Sequence, residues 1–317
     1  MAGIIANPFS GKDIRRLVGY GTTMENTTKV RMLQRVFTGL GEAGVQQVLY
    51  MPDPARLVAS AFESLRAQDR GSMVLRPVLE VVRGEPSETS LATAQMVSLG
   101  AAAIVTLGGD GTNRLVAKES GDVPLMPIST GTNNAFPFVL EPTIAGLAAG
   151  LAAVRMDGAG CRREKVLRVA VGDWTDLALV DVALLDGAFT GTGAVWQPEA
   201  IRALVVTQGE PQAIGLSAIA ARICPVGRQE PFGARVRLDG AGPGPAYRVP
   251  LGPGFFGTVR VAEWGRVALG DGVELGSGPG VISLDGERLC VVPAGSRVLV
   301  HVSDQGPVVL VPELLLS

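Results

Sequence analysis

Leu107-Gly108-Gly109-Asp110-Gly111-Thr112 follows an apolar run, Ala101-Ala102-Ala103-Ile104-Val105-Thr106, and precedes Asn113-Arg114-Leu115-Val116-Ala117-Lys118-Glu119. The apolar run reads as a buried strand and the segment after the glycines as a helix. The glycines therefore sit where a strand turns into a helix. They let the backbone bend tightly and come close to a ligand. Backbone N–H groups at the start of the next helix then face an anion, so the turn is a candidate phosphate cradle. Gly108, Gly109 and Gly111 would line it. Thr112 would cap the helix or bond a phosphate. Asp110, a carboxylate facing anionic phosphates, needs its own role. It could act as a base toward an attacking hydroxyl, organise a metal ion, or brace the turn through its own backbone.

Two other stretches point the same way. Gly3 to Ala6 reads as a strand that Asn7-Pro8 ends. Ser10, Gly11 and Lys12 then offer a hydroxyl, a flexible backbone and a cation to a phosphate, without the spacing of a P-loop. Further on, Ile128-Ser129-Thr130-Gly131-Thr132-Asn133-Asn134-Ala135-Phe136 follows the strand Val123 to Ile128. Asparagine amides donate and accept, which suits Asn133 and Asn134 to ribose hydroxyls or a purine edge. Strands and helices alternate through this half of the chain. Helices are expected over residues 26–40, from Asp53-Pro54 to Leu65, over 91–99 and over 141–154, with Asn26 or Thr27 capping the first. That pattern predicts an α/β domain with a parallel sheet and helices on both faces. All three motifs follow strands at one sheet edge, where such sheets bind ligands.

From Gly158 the texture changes: Gly and Pro become frequent and valines alternate. Val166 to Val171, a Gly172-Asp173 turn and Trp174 to Leu184 read as a hairpin. Ile201 to Val206 and Ala234 to Leu238 read as strands, and Gly215 to Cys224 as a short helix. The expected organisation is an α/β nucleotide-binding domain over 1–157 and a mainly β substrate or oligomerisation domain over 158–292. Residues 293–317 rejoin the first domain through strands at 298–302 and 308–311. Arg162, Arg163, Lys165 and Arg168 cluster at the junction and read as an exposed strand face rather than a phosphate site.

Composition narrows the function. Hydrophobic residues make up 47% of the 317 and charged ones 18%, so a large core is expected and disorder is not. The net charge of −2 argues against a nucleic-acid partner. The three cysteines, Cys161, Cys224 and Cys290, have no metal-ligand spacing and fit buried thiols of a cytoplasmic protein. His301 is the single histidine and lies in an alternating strand pattern, so the sequence argues against a histidine metal cluster and a Ser-His-Asp triad. No apolar run is long enough to cross a membrane.

Gly-Gly-Asp-Gly-Thr after a buried strand resembles the hallmark of the superfamily of NAD kinases, diacylglycerol kinases and sphingosine kinases. Ile4 to Lys12 resembles their Asn-Pro-x-Ser-Gly-Lys opening, and Ile128 to Phe136 their Gly-Thr-x-Asn-x-Phe segment. The subgroup most similar is the ATP-NAD-kinase-like acetoin catabolism protein X family. The resemblance implies a kinase that moves a phosphoryl group from ATP, with Mg²⁺, to a hydroxyl of NAD or a related small metabolite. It also implies that Asp110 is needed for transfer. Asn7, Ser10, Gly11, Lys12, Thr130, Gly131, Thr132, Asn133 and Asn134 would bind the nucleotide, and the chain would form homo-oligomers through the β domain. Ser283-Leu284-Asp285-Gly286-Glu287 resembles a late Asp-Gly-Glu segment of the lipid kinases. One departure concerns the Asn-Glu pair with which NAD kinases hold the NAD ribose. No asparagine follows Asn134, and the matching region places Val180 for the Asn and Asp181 for the Glu. A catalytically inactive nucleotide-binding sensor and a lipid-kinase-like enzyme are the alternatives.

Overall fold

The central strand forms over Ala103–Gly108 with every residue buried. It pairs in parallel with Ala2–Ala6 on one side and Leu125–Ser129 on the other. The computed structural model describes residues 1–11, 19–131, 133–187, 195 and 197–316. Outward from the centre, Gln47–Tyr50 and Val74–Pro77 extend the sheet in parallel beyond Ala2–Ala6. Val308–Leu310 pairs in parallel with Leu125–Ser129, and Cys161–Arg163 closes that side antiparallel.

Alternate residues of the inner strands enter different cores. Ile4, Val48 and Val105 face the helices Asn26–Glu42, Leu57–Glu63 and Pro142–Arg155. Ile5, Leu49 and Ile104 face Pro86–Ser98 and Asp110–Ala117. Burial on both faces is why these strands read as continuous apolar runs. Gly39 and Gly146 let Asn26–Glu42 and Pro142–Arg155 touch backbone to backbone. A Cβ on Gly39 would collide with the Thr143 carbonyl, and one on Gly146 with the Val36 carbonyl.

The second region is a β-sandwich beside this layer. Its larger sheet runs Ala246–Gly252, Phe255–Ala268, Phe232–Leu238, Ile201–Val206, Asp181–Leu185, Gly280–Leu284 and Glu287–Val292, all antiparallel. The smaller runs Gly272–Ser277, Arg297–Ser303, Val166–Val171 and Trp174–Ala178. Val182, Leu184, Ala203 and Val205 face the smaller sheet. Ala183, Leu185, Leu204 and Val206 face the helix Ser217–Ile223. Lys165, at the junction, is buried rather than part of an exposed face. Its Nζ donates to the carbonyls of Gly227 and Phe232 at 3.1 and 2.7 Å, and burial lowers its pKa to about 8.

Several expected boundaries move. The helix after the glycine turn starts at Asp110, not Asn113, with Gly109 as its N-cap. A carboxylate in the first turn suits the positive end of the helix dipole. The helix expected from Leu91 starts at Pro86, where Glu85 and Glu88 form a capping box. Glu25, not Asn26 or Thr27, is the N-cap of the first helix. The expected arm Trp174 to Leu184 breaks into two strands in different sheets, because Leu179 and Val180 donate their N–H groups to the Asp285 carboxylate. Of the two C-terminal strands expected to return, Val308–Leu310 lies in the first sheet. Arg297–Ser303 instead pairs with Gly272–Ser277 and Val166–Val171. No described helix is long and apolar enough to cross a membrane.

Candidate functional site

The three motif loops meet at the C-terminal edge of the first sheet. Asn7 Nδ2 donates to Thr112 Oγ1 at 2.9 Å, and Asn7 Oδ1 accepts the Phe9 N–H at 2.8 Å. Thr130 Oγ1 bonds Ser10 Oγ at 2.7 Å. Asn134 Nδ2 donates to Ser129 Oγ at 3.0 Å, and a Cβ on Gly109 would stand 2.8 Å from Asn134 Oδ1. A side chain there would push the Asn134 amide off the glycine turn.

Lys29 holds the first loop from below. It is fully buried, and its Nζ donates to the carbonyls of Asn7, Pro8 and Ser10 at 2.9, 3.1 and 2.8 Å. An ammonium has three donors and no acceptor, which matches three carbonyls turned inward. Those carbonyls leave the loop's other side to face the cavity. Lys29→Met should destabilise the protein by about 2–4 kcal/mol, because buried carbonyls lose charged donors. Urea unfolding followed by circular dichroism measures it; a loss within 0.5 kcal/mol, roughly that of a surface substitution, would remove Lys29 from this role.

The carboxylate of Asp110 is buried and reaches across to the third loop. It accepts the N–H of Phe136 at 2.9 Å and that of Ala135 at 3.1 Å. Asp110 thus braces the site, but through the backbone of residues 135 and 136. On the far side, Asp285 and Gly286 both have positive φ, at 51° and 77°. They form the two-residue turn between Gly280–Leu284 and Glu287–Val292. The Asp285 carboxylate is wholly buried, and burial raises its pKa against the pull of Arg114 and the backbone N–H groups of Val180, Leu179 and Asp181. Arg114 Nε lies 3.7 Å from Asp285 Oδ2, and its Nη1 bonds Asp176 at 3.3 Å. This arginine fastens the helix of the glycine turn to the β-sandwich.

These loops enclose a cavity of about 410 Å3, a size that suits a nucleotide-sized ligand. Asn7, Ser10, Gly11, Gly109, Asp110, Gly111, Thr112, Gly131, Asn133 and Asn134 line it. Asn133 Oδ1 is buried with no hydrogen-bond partner. Gly108 and Thr130 lie one layer behind, joined by the Thr130 N–H to the Gly108 carbonyl. Lys12 and Thr132 fall outside the described residues. Asp181 does not line the cavity; its Oδ1 accepts the Gly286 N–H at 3.2 Å. Val180 is buried in the core between the sheet and the sandwich.

Among the described residues, six carboxylates border the cavity: Asp53, Glu85, Glu88, Asp110, Asp285 and Glu287. Five hold backbone N–H groups. Asp53 takes those of Ala55 and Leu57, Glu88 those of Arg83 to Glu85, and Glu85 completes the capping box. Glu287 is the exception among the described residues. It is exposed, and its carboxylate lies 3.2 Å from where a Cβ on Gly111 would stand. Mg²⁺ needs only one or two carboxylates beside substrate phosphates. Asp110, next to Gly111, is placed to supply one.

The family model of the ATP-NAD kinase N-terminal domain matches residues 3–154. A yeast NADH kinase solved with NADH aligns over 98% of this chain and 83% of its own, with TM-score 0.56 and 13% identity. The α/β layer thus matches the ATP-NAD kinase N-terminal domain, and the chain as a whole shares the fold of that NADH kinase. The acetoin catabolism protein X C-terminal domain matches residues 165–305. Acetoin catabolism protein X of Cupriavidus necator is 37% identical over 315 residues, covering 96% of this chain and 88% of that protein. The chain belongs to the acetoin catabolism protein X family.

Proposed function

We propose that this protein is a phosphotransferase that moves a phosphoryl group from ATP to a hydroxyl of NAD or a related small metabolite. The observation that carries this reading is the convergence of the three motif loops on one cavity, with one uncommitted carboxylate beside the glycine turn. Phosphoryl transfer needs phosphates held, charge neutralised and the acceptor hydroxyl aimed. The N–H groups of Gly109 to Thr112 at the helix start hold phosphate oxygens. Asp110 would help hold Mg²⁺, which would supply charge neutralisation for the phosphates. Asp110 keeps the turn and the loop at Ala135 in register. Glu287 accepts the proton of the attacking hydroxyl. Asn133, with its unpaired amide oxygen, receives a ribose hydroxyl or a base amine.

The test is ADP release and product mass after incubating the purified protein with Mg-ATP and NAD, then with other hydroxyl metabolites. A short-chain diacylglycerol is included, since lipid-kinase relatives share the Asp-Gly-Glu segment. A phosphorylated acceptor establishes the reading. Binding of Mg-ATP without any product would overturn it in favour of a nucleotide sensor. Val180, a buried residue unable to bond a ribose, is the observation on that side.

A further inference from the structure

The two peptide units that follow Ala135 are held by side chains from both regions of the fold. In the unit joining Ala135 to Phe136, the N–H of Phe136 donates to Asp110 Oδ1 at 2.9 Å. Its carbonyl, on Ala135, accepts from Gln208 Nε2 at 2.8 Å. The N–H and the carbonyl of one peptide point in opposite directions, so rotating this plane breaks both bonds at once. The next unit joins Phe136 to Pro137 and has no N–H. Its only handle is the Phe136 carbonyl, which accepts from Arg228 Nη1 at 2.9 Å.

Arg228 does more than make that bond. Its guanidinium lies 5.0 Å from the ring centre of Phe136 and 4.7 Å from that of Phe138. Its Nη2 is buried with no hydrogen-bond partner, so the ring faces receive part of its charge. Its Nε pairs with Glu164, itself almost wholly buried, at 2.9 Å. The arginine is in turn fixed by its own loop, where Lys165 holds the Gly227 carbonyl and Glu210 accepts the Arg228 N–H at 3.3 Å. Gln208 and Arg228 both belong to the β-sandwich region, whereas Asp110 and residues 135–138 belong to the α/β layer.

We infer that Arg228, with Gln208, is a positioning residue: from the β-sandwich it fixes the backbone of residues 135–138 and, through it, the orientation of Asp110 at the glycine turn. The α/β layer carries the phosphate-side motifs, yet their geometry is completed by the other region. Hydrogen bonds in series through one peptide also polarise one another, so Gln208 strengthens the N–H that Asp110 accepts.

The test is amide hydrogen exchange in the full-length protein without ligand, read by mass spectrometry on peptides covering 133–138. Two variants are compared with wild type. Gln208→Leu keeps the side chain's bulk and removes the amide. Arg228→Met combined with Glu164→Gln removes both members of the buried pair together; Arg162, the other partner of Glu164, is partly exposed, so water can solvate its charge. In each, exchange over 133–138 should rise about tenfold, while Ala103–Gly108 and Gly280–Leu284 keep wild-type protection. Arg228→Lys keeps a cation near the rings and a donor for Phe136, and should recover part of the protection. Unchanged exchange at 133–138 in both variants, or an equal rise throughout the chain, would overturn the inference. The catalytic reading enters only through a second arm, calorimetric titration with Mg-ADP, where both variants should bind about tenfold more weakly. If wild type itself binds no Mg-ADP, the proposed function fails while the exchange result still decides the positioning role.

Discussion

Asp110→Ala should lower phosphoryl transfer by at least ~10²-fold and weaken Mg-ADP binding at the same time. Its carboxylate accepts the N–H groups of Ala135 and Phe136, and both groups are lost to it in the variant. Two buried donors without acceptors turn toward other partners, since each costs about 1–3 kcal/mol unpaired. The loop carrying Gly131, Asn133 and Asn134 then shifts relative to the glycine turn. A displacement of about 1 Å at a site that works by positioning is enough for a ~10²-fold loss. Asp110→Asn separates shape from charge. Its amide oxygen, in the place of Oδ1, can still accept from Phe136 and, at 3.2 Å, from Ala135, while its NH₂ in the place of Oδ2 opposes the Ala135 N–H. The Asn variant should therefore lie between wild type and Ala in both rate and affinity. Initial rates with Mg-ATP, beside calorimetric titration of each variant, make the comparison. Full transfer activity in Asp110→Ala would remove this residue from the site.

The sequence exposes the glycine turn, the two flanking motifs and the alternation of strands and helices, because each is a local pattern. A parallel strand buried on both faces must be apolar throughout, and Ala103–Gly108 is. The Asp285-Gly286 pair is likewise a local signal for a tight hairpin. What lies beyond local pattern is where those pieces land. Nothing around Lys29 distinguishes it from a solvated helix lysine; its burial comes from Asn7, Pro8 and Ser10 turning their carbonyls onto it. The break after Ala178 is hidden because Leu179 and Val180 are apolar and continue the strand pattern, while its cause, Asp285, is more than a hundred residues away. Asp181 resembles a ligand-binding carboxylate in sequence, and the fold gives it to the Gly286 N–H instead. Gln208 and Arg228 carry no motif at all. Their place at the site follows only from the packing of the β-sandwich against residues 135–138.

Glu287→Gln should lower kcat by about 10²–10⁴-fold, the usual worth of general-base help, and leave KM and the melting temperature near wild type. Among the described residues, the other carboxylates at the cavity are committed to backbone groups. Asp53, Glu85, Glu88, Asp110 and Asp285 each hold backbone N–H groups that keep a turn, a helix start or a hairpin in place. A carboxylate so engaged has fewer lone pairs to offer a hydroxyl proton. Glu287 stands at the hairpin tip facing Gly111. The fold needs no contact from it that glutamine could not also make, so the substitution removes the charge and little else. A base acts in the transition state and not in binding, which is why kcat moves and KM does not. Glu287→Asp should restore part of the rate, since it returns the carboxylate but withdraws it by one methylene. Mg-ADP affinity supplies the control. If it falls with kcat in Glu287→Gln, the carboxylate serves metal or phosphate binding, and the base role is lost. If kcat falls alone, the hairpin of the β-sandwich contributes the reactive group and the α/β layer the phosphate cradle, so neither region is a complete site without the other.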